Sequence, residues 1–312
     1  MRYPRNSLIL AVCLALVGAP ATAAGARPDH AGAPSEKARH RASDVHNGWT
    51  LLWSDEFDIP GTLDPDYWSH EVNCWGGGNN EYQCYTDRLD NSYVDQQGFL
   101  HIVAKEEFFS GPSLTDDDPG YPGPYVSKNY TSARLRTKNK ADWMYGRVEV
   151  RAKVPGGQGM WPAIWMLPTD WEYGGWPSSG EIDIMEAVNL PLGYFAGWGH
   201  FVHGTLHYGL PWPQWENHGQ SHYTVVNPAN DFHEYAFEWE ADEIRWYFDG
   251  VHWQTQRSEG WYNYIWSGQE DGFVVATDRA PFDKRFHLIM NVAVGGDWPG
   301  PVSYTHLRAH ET

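Results

Sequence analysis

Strict alternation of apolar and polar positions recurs along this chain and predicts β-strands. Between residues 147 and 154, Arg, Glu, Arg and Lys alternate with Val, Val, Ala and Val, which is the period of a strand with one face on a core and one in water. The same alternation runs through 286–294 and through 234–255, where Asp249-Gly250 predicts a hairpin turn. No segment carries a sustained 3.6-residue period with helix caps. We therefore expect an all-β fold, a β-sandwich or jelly roll of two packed antiparallel sheets.

The first residues have a different pattern. Arg2 and Arg5 precede an apolar run at 8–17 that is too short to span a bilayer, and a small-residue cleavage site follows at 21–23. This pattern predicts a signal peptide over residues 1–23. The mature protein is then expected outside the cytoplasm, either extracellular or periplasmic.

Three segments follow the predicted leader. Residues 24–46 are rich in Ala, Gly, Pro and charge without an apolar period, which predicts a flexible N-terminal segment. Residues 47–300 are enough for one large all-β domain. Residues 301–312 show neither strand alternation nor a turn pattern, and we interpret them as a non-native tail.

Composition narrows the class of partner. The 22 Lys and Arg against 40 Asp and Glu give a formal charge of -18, which repels nucleic acid, anionic membranes and sulfated polysaccharides. The 18 Trp and 18 Tyr supply flat faces on which sugar rings stack. Two cysteines remain after the leader, Cys74 and Cys84, and the sequence leaves their pairing open. We expect a monomer with a neutral polysaccharide as partner, and neither nucleic acid nor membrane.

Three acids crowd the segment from 181 to 186. On a regular strand Glu181 and Asp183 share one face while two isoleucines point into the core, but the next position on the acid face is Met185 rather than Glu186. A one-residue β-bulge restores the phase, and such bulges are common beside active sites. We therefore predict a bulged strand with Glu181, Asp183 and Glu186 on one face.

This arrangement suits acid–base chemistry. Strand geometry brings the outer two carboxyls to about 5 to 6 Å, the separation of retaining glycosidases. Three close carboxyls cannot all ionise cheaply, so at least one pKa rises and that group becomes the proton donor. We assign Glu181 as nucleophile, Glu186 as acid and then base, and Asp183 as the orienting group; spacing alone leaves the two glutamate roles interchangeable. The alternatives are a solvated acidic strand or a cation site.

At these acids the sequence resembles glycoside hydrolase family 16, in its laminarinase-like endo-β-1,3-glucanase branch, which carries the bulged form of the signature. The resemblance covers about 49–300 and implies a β-jelly roll with a concave substrate cleft, a catalytic domain over 47–300, and endo-attack on a β-glucan polysaccharide. Six further segments carry it: GGNNEYQCYTDR at 77–88, YTSARLRTKNK at 130–140, YGRVEVRAKVPGGQGMWPAIWMLP at 145–168, GTLHYG at 204–209, DFHEYAFEWEADEIRWYFDG at 231–250 and NVAVGGDWPG at 291–300.

The resemblance also implies six contacts to the glucan, made by two polar side chains, three indoles and an imidazole near the acids: Asn79, Arg134, Trp161, Trp165, Trp176 and His207. Each has a structural alternative. Trp165 can be a core residue, Arg134 can neutralise an acid, and Asn79 can cap a turn.

No cofactor is expected for catalysis. The resemblance implies a structural calcium bound by groups near Glu56 and Gly98 together with an aspartate on a last strand. That strand is missing if residues 301–312 are non-native, and its absence predicts a raw sheet edge. The segment 253–280 is longer than the family pattern and predicts an aromatic rim of the cleft.

Other functions compete with this one. A zinc cluster of His200, His203 and His207 is disfavoured, because on a strand His200 faces away from the other two. A non-catalytic β-glucan recognition protein keeps the cleft and loses the chemistry, yet all three acids are present here. The same fold could also act on mixed-linkage glucan or an agar-type galactan.

Overall fold

A computed structural model describes residues 7–16, 45–46, 48–191, 200–210, 215–267, 272–276 and 278–302. These ranges form twenty-two strands and no helix, so none of their elements is a helix able to cross a bilayer. The strands are β1 (Ser7–Leu16), β2 (Val45–His46), β3 (Trp49–Asp55), β4 (Ser69–His70), β5 (Gln83–Tyr85), β6 (Ser92–Val94), β7 (Leu100–Val103), β8 (Lys105–Pro112), β9 (Tyr125–Ser132), β10 (Arg134–Arg136), β11 (Asp142–Trp143), β12 (Gly146–Lys153), β13 (Met160–Pro168), β14 (Glu181–Glu186), β15 (His200–Gly209), β16 (Trp215–Thr224), β17 (His233–Trp239), β18 (Glu243–Phe248), β19 (Val251–Arg257), β20 (Asn263–Ser267), β21 (Gly272–Ala276) and β22 (Phe286–Val294).

Two large sheets confirm the predicted sandwich. The back sheet runs β19-β18-β17-β12-β1-β3-β2, with β7 and β6 joined to it through β1. The cleft sheet runs β21-β20-β15-β14-β13-β22-β10-β4, with β16 on β15 and β11 on β22. A small third sheet, β5-β9-β8, was not predicted.

The core lies between the two large sheets. Val148 and Phe237 of the back sheet and Ile164, Leu206 and Met290 of the cleft sheet are all at most 3% exposed. In each case the alternate side chains of the same strand point to the opposite face of its sheet. The strand alternation read from the sequence therefore separates core positions from cleft positions in the cleft sheet.

One predicted solvent face is covered. Arg147 and Glu149 of β12 are only 2% and 6% exposed, because β17 and β18 bring long side chains across them. Arg147 donates to Glu149 at 2.6 Å and to Glu238 at 3.0 Å, and its guanidinium lies 4.8 Å from the centre of the Tyr247 ring. The prediction that this face meets water was therefore wrong for Arg147 and Glu149. It is correct for Arg151, which is exposed.

The apolar N-terminal run forms β1. It pairs with β12 on one side and with β3 and β7 on the other. Cleavage of residues 1–23 would remove this partner and leave the edges of those strands open, so the predicted raw edge stays a prediction. Export and cleavage of residues 1–23 stay predictions. Residues 45–46, just before the predicted domain start at residue 47, pair with β3. Residues 24–44 of the predicted N-terminal segment and 303–312 of the predicted tail lie outside the described residues.

Candidate active site

A cleft of about 920 Å³ lies over the outer face of the cleft sheet. Its floor comes from alternate side chains of β10, β13, β14, β15, β16 and β22, and one wall comes from the loop that precedes β5. All nine residues predicted for catalysis and substrate binding line it: Asn79, Arg134, Trp161, Trp165, Trp176, Glu181, Asp183, Glu186 and His207. The first and last of these in the sequence, Asn79 and His207, lie 128 positions apart, and the fold brings them to one cleft.

The predicted bulge in β14 is present. Asp183 lies opposite Thr205 and Glu186 opposite His203, so β14 spends three residue steps where β15 spends two. The register with β13 shifts at the same point. Met185 turns into the core, where it is 1% exposed, and the three acids face the cleft.

Each outer glutamate has an indole partner of its own. Trp176 Nε1 donates to Glu181 Oε2 at 2.7 Å, and Trp161 Nε1 donates to Glu186 Oε1 at 2.9 Å. These bonds fix the two carboxyls while leaving one oxygen of each without an indole donor. Trp161 and Trp176, which the resemblance implies as contacts to the glucan, therefore also orient the carboxyls of Glu186 and Glu181.

His207 stands between two of the acids. Its Nε2 lies 3.2 Å from Asp183 Oδ2 and 3.7 Å from Glu181 Oε1. Asp183 is 2% exposed, so its charge is poorly solvated and depends on this imidazole. The contact supports the orienting role assigned to Asp183.

Burial and mutual repulsion shift the pKa values of these groups. Burial, followed by the charge of Asp183, raises the pKa of Glu181 to about 7. The same two causes raise the pKa of Glu186 well above its ordinary value. Burial acts to lower the pKa of His207, but Glu181 and Asp183 oppose it and raise that pKa to about 9. At neutral pH the site therefore holds one imidazolium beside two glutamates that retain protons unusually well.

Glu181, Asp183 and His207 are also the one group of metal-ligand type that the described residues bring together, with ligand atoms within 4.8 Å of one another. A protonated imidazole is a poor metal ligand, and the raised pKa of His207 keeps it protonated. The imidazolium thus supplies the positive charge that a cation would bring. The disfavoured zinc cluster is not formed by the described histidines, since His200 does not line the cleft.

The far end of the cleft from β15 contains Arg134 and Asn79. Arg134 Nε lies 3.0 Å from Glu71 Oε1, and its guanidinium packs 4.5 Å from the centre of the Trp165 ring. Trp165 donates to Asn291 at 2.7 Å. Asn79 donates to the carbonyl of Gly77 at 3.2 Å. Arg134 thus neutralises an acid and Asn79 bonds a turn carbonyl, as their structural alternatives predicted. Both side chains also line the cleft.

A disulfide between Cys74 and Cys84 closes the loop that carries Asn79. This answers the question that the sequence left open. Gly77 in this loop has φ +62, and an added Cβ would lie 1.9 Å from Glu81 Oε1, so another residue there would strain the backbone and displace the Glu81 carboxylate. The cross-link and the glycine together hold one wall of the cleft against the sheet.

Replacing both cysteines by alanine is expected to lower the free energy of unfolding by about 3 kcal/mol, because closing a short loop removes chain entropy from the unfolded state. Alanine avoids burying two new hydroxyls. Urea denaturation of the oxidised protein and of the Cys74→Ala/Cys84→Ala variant measures the difference. The unchanged protein under a strong thiol reductant is the control and should match the variant; equal stability of all three would contradict the expectation.

Several residues of the cleft were not predicted as site residues: Trp75, Trp171, His203, Trp215, His287, Asn291 and Trp298. Trp298 could have been predicted from the sequence, since it lies in a Gly- and Pro-rich turn. The residue is 43% exposed. His203 could have been predicted too, because on a strand it lies on the same face as His207. The others come from loops and distant strands that only the folded chain brings together.

The two residues proposed for calcium are neighbours. A Cβ built on Gly98 would lie 3.7 Å from the Phe57 carbonyl oxygen and 4.0 Å from that of Glu56. Carbonyl oxygens suit calcium, which takes about six to eight oxygen ligands. No group of three acidic, histidine or cysteine side chains surrounds this point in the described chain, so these two residues fit only part of a calcium shell and the site stays a prediction.

Comparison with known proteins adds an independent line. The model of the family "Glycosyl hydrolases family 16" matches residues 112–264. A beta-glucanase of Rhodothermus marinus is 40% identical over 268 residues, which cover 83% of this chain and 80% of that protein. A glucan endo-1,3-beta-glucosidase A1 of Niallia circulans is 40% identical over 263 residues, 81% of this chain, and the chain spans only 35% of that relative's length.

A solved structure gives the same result in three dimensions. The laminarinase of Rhodothermus marinus superposes with a TM-score of 0.64 at 40% identity, and the match covers 82% of this chain and 91% of that one.

Proposed function

This chain belongs to glycosyl hydrolase family 16, and on that premise we propose that it is a secreted endo-β-1,3-glucanase acting on laminarin-type glucan with retention of anomeric configuration. The observation that carries the proposal is the bulged strand β14, on which Glu181 and Glu186 flank Asp183 and each accepts an indole N–H bond. By strand geometry the two carboxyls lie about 5 to 6 Å apart, a separation that suits one attacking the sugar while the other protonates the leaving oxygen.

In the first half-reaction, the Glu181 carboxylate attacks the anomeric carbon as the glycosidic C–O bond breaks. Glu186 gives its proton to the departing oxygen, and a glycosyl ester of Glu181 forms. In the second half-reaction, Glu186, now a carboxylate, takes a proton from water, whose oxygen attacks the same carbon. Glu181 leaves as a carboxylate and Glu186 is protonated again, so no cofactor is required for this sequence.

The electrostatics suit this division of roles. Burial and Asp183 raise the pKa of both glutamates, and His207 acts to lower both. The charge of Glu181 raises the pKa of Glu186 further, whereas Arg134 acts to lower that of Glu181. Each glutamate also has an indole donor, but burial keeps the pKa of Glu186 well above the ordinary value. Glu181 is therefore the carboxyl that ionises more readily, as a nucleophile must, and Glu186 the one that retains a proton to donate.

Several features support a neutral glucan as substrate. The floor of the cleft presents indoles and uncharged polar groups, including Trp165 and Asn291, and the net charge of -18 disfavours sulfated galactans. The relatives named above are a beta-glucanase and a glucan endo-1,3-beta-glucosidase. An open cleft lined from several strands suits attack within a polymer. We propose that the enzyme acts as a monomer and that calcium, where bound, is structural.

Reducing-sugar release from laminarin, barley mixed-linkage glucan and agarose, with product sizing, tests the proposal. We expect rapid release of short oligosaccharides from laminarin, and proton NMR of the first products should show the β-anomer before mutarotation. Faster release from agarose or mixed-linkage glucan would move the activity to that polymer. Laminarin binding by folded protein without any cleavage would instead indicate a β-glucan recognition protein.

A further inference from the structure

Two large aromatic side chains are exposed at one end of the β15–β16 hairpin. Phe201 is 41% exposed and Tyr223 is 56% exposed. The two residues are directly opposite each other in the antiparallel pair, and their rings meet edge to face with centroids 5.7 Å apart. The pair presents apolar rings to solvent that the core packing between the sheets does not require.

Strand parity places this aromatic pair on the cleft face. In β15, Val202, Leu206 and Tyr208 are at most 2% exposed, whereas His203 and the alternate residues that follow it line the cleft. Phe201 has the parity of His203. Across the hairpin, Tyr223 has the parity of Ser221, which faces His203 and donates or accepts a 2.9 Å bond with its Nδ1. The pair therefore continues the floor of the cleft by one step.

A row of rings connects the pair to the proposed acid. Trp161, which donates to Glu186, meets Trp298 edge to face at 5.2 Å. Trp298 meets His203 edge to face at 5.0 Å, and Phe201 is two residues from His203 on the same face. Aromatic surface thus runs from the catalytic acid to the end of the hairpin.

The direction of this row identifies which part of a substrate it meets. Glu186 protonates the leaving oxygen in the proposed mechanism. It lies opposite His203, whereas Glu181 lies opposite His207, so Phe201 lies beyond the acid on the side away from the nucleophile. This end of the β15–β16 hairpin is therefore the part of the cleft nearer to the leaving-group portion of a bound chain. Ser221 and Gln220 of β16 line the adjoining part of the cleft, and such neutral polar groups suit an uncharged sugar chain.

We propose that Phe201 and Tyr223 form an acceptor-side platform that binds the β-1,3-glucan chain beyond the leaving-group sugar next to the cleaved bond. The inference rests on the proposed function and adds a specificity for polymers over short substrates. Two sugar units stacked on two rings add affinity that a substrate ending at the cleaved bond cannot use.

The double variant Phe201→Thr/Tyr223→Thr tests this, since threonine retains strand propensity without a ring. On laminarin we expect kcat/KM to fall about tenfold, because two stacking contacts are lost. The change should appear as a higher KM. On an aryl β-1,3-oligoglucoside, whose leaving group is a single nitrophenyl ring, the rate should stay within twofold. The matched control is Phe108→Thr/Tyr125→Thr, which removes two rings that are 74% and 66% exposed on β8 and β9 and should change neither rate.

Affinity electrophoresis in laminarin-containing gels gives a second readout that does not need turnover, and the double variant should migrate faster than the control. Unchanged kcat/KM and mobility would overturn the platform, as would an equal loss on the aryl substrate. Loss of a dimer in sedimentation without any change on laminarin would show a contact between copies instead. If the unaltered enzyme cleaved no β-1,3-glucan, the proposed function would fail, while gel retention would still decide the platform.

Discussion

Glu181→Gln is expected to lower kcat on laminarin by on the order of 10⁴-fold or more, because an amide cannot form the glycosyl ester. The amide is nearly isosteric and its oxygen can still accept the 2.7 Å bond from Trp176. Binding should therefore survive. Initial rates at saturating laminarin measure the loss, and affinity electrophoresis in laminarin measures the retained binding.

The control for this substitution is Glu106→Gln, which makes the same change at an exposed position of β8 and should leave kcat unaltered. The melting temperature of Glu181→Gln should stay within a few degrees of the unaltered chain, since burial already disfavours the Glu181 carboxylate that the amide replaces. A variant that kept more than a hundredth of the activity with an intact fold would remove Glu181 from the nucleophile role.

The bulge in β14 could be predicted because it depends only on residues within that strand. The spacing of Glu181, Asp183 and Glu186 against the buried Met185 requires a bulge whatever the rest of the chain does, and the register of β14 with β15 shows it. The sandwich followed from alternation in the same way. Both predictions use only the period of a strand and the side on which apolar residues fall.

Features that depend on partners far along the chain were not accessible in this way. The sequence pattern predicts that the charged face of β12 is solvent-exposed, but Glu238 and Tyr247, which lie 91 and 100 residues further along the chain, cover Arg147. Sequence spacing is compatible with a Cys74–Cys84 bond but does not require it, since the loop between them must first be folded back. The aromatic row needs β22, β13, β14 and β15 assembled in that order before Trp298 meets His203.

The second large effect concerns Glu186. Glu186→Ala is expected to lower kcat/KM on laminarin by about 10²- to 10⁴-fold, the usual worth of general acid–base catalysis. The loss should be much smaller on a dinitrophenyl β-1,3-oligoglucoside, whose leaving group departs without a proton. With that substrate the glycosyl ester of Glu181 should accumulate as a burst, because no base remains to activate water.

Azide and pH distinguish this role from a merely structural one. Sodium azide needs no general base, so it should restore turnover of the aryl substrate by Glu186→Ala and yield the β-glycosyl azide. In the unaltered enzyme Glu186 must be protonated, so the rate on laminarin falls as pH rises through its raised pKa. In the variant, measured with the aryl substrate, this alkaline limb of the pH–rate profile should vanish. The acid limb should remain, because it is set by Glu181, whose pKa is raised to about 7. The control is the same azide series with Glu106→Gln, which should give no azide product in excess of the unaltered enzyme. An α-glycosyl azide, or no rescue by a folded variant, would mean that Glu186 is not the acid–base residue on the face opposite the nucleophile.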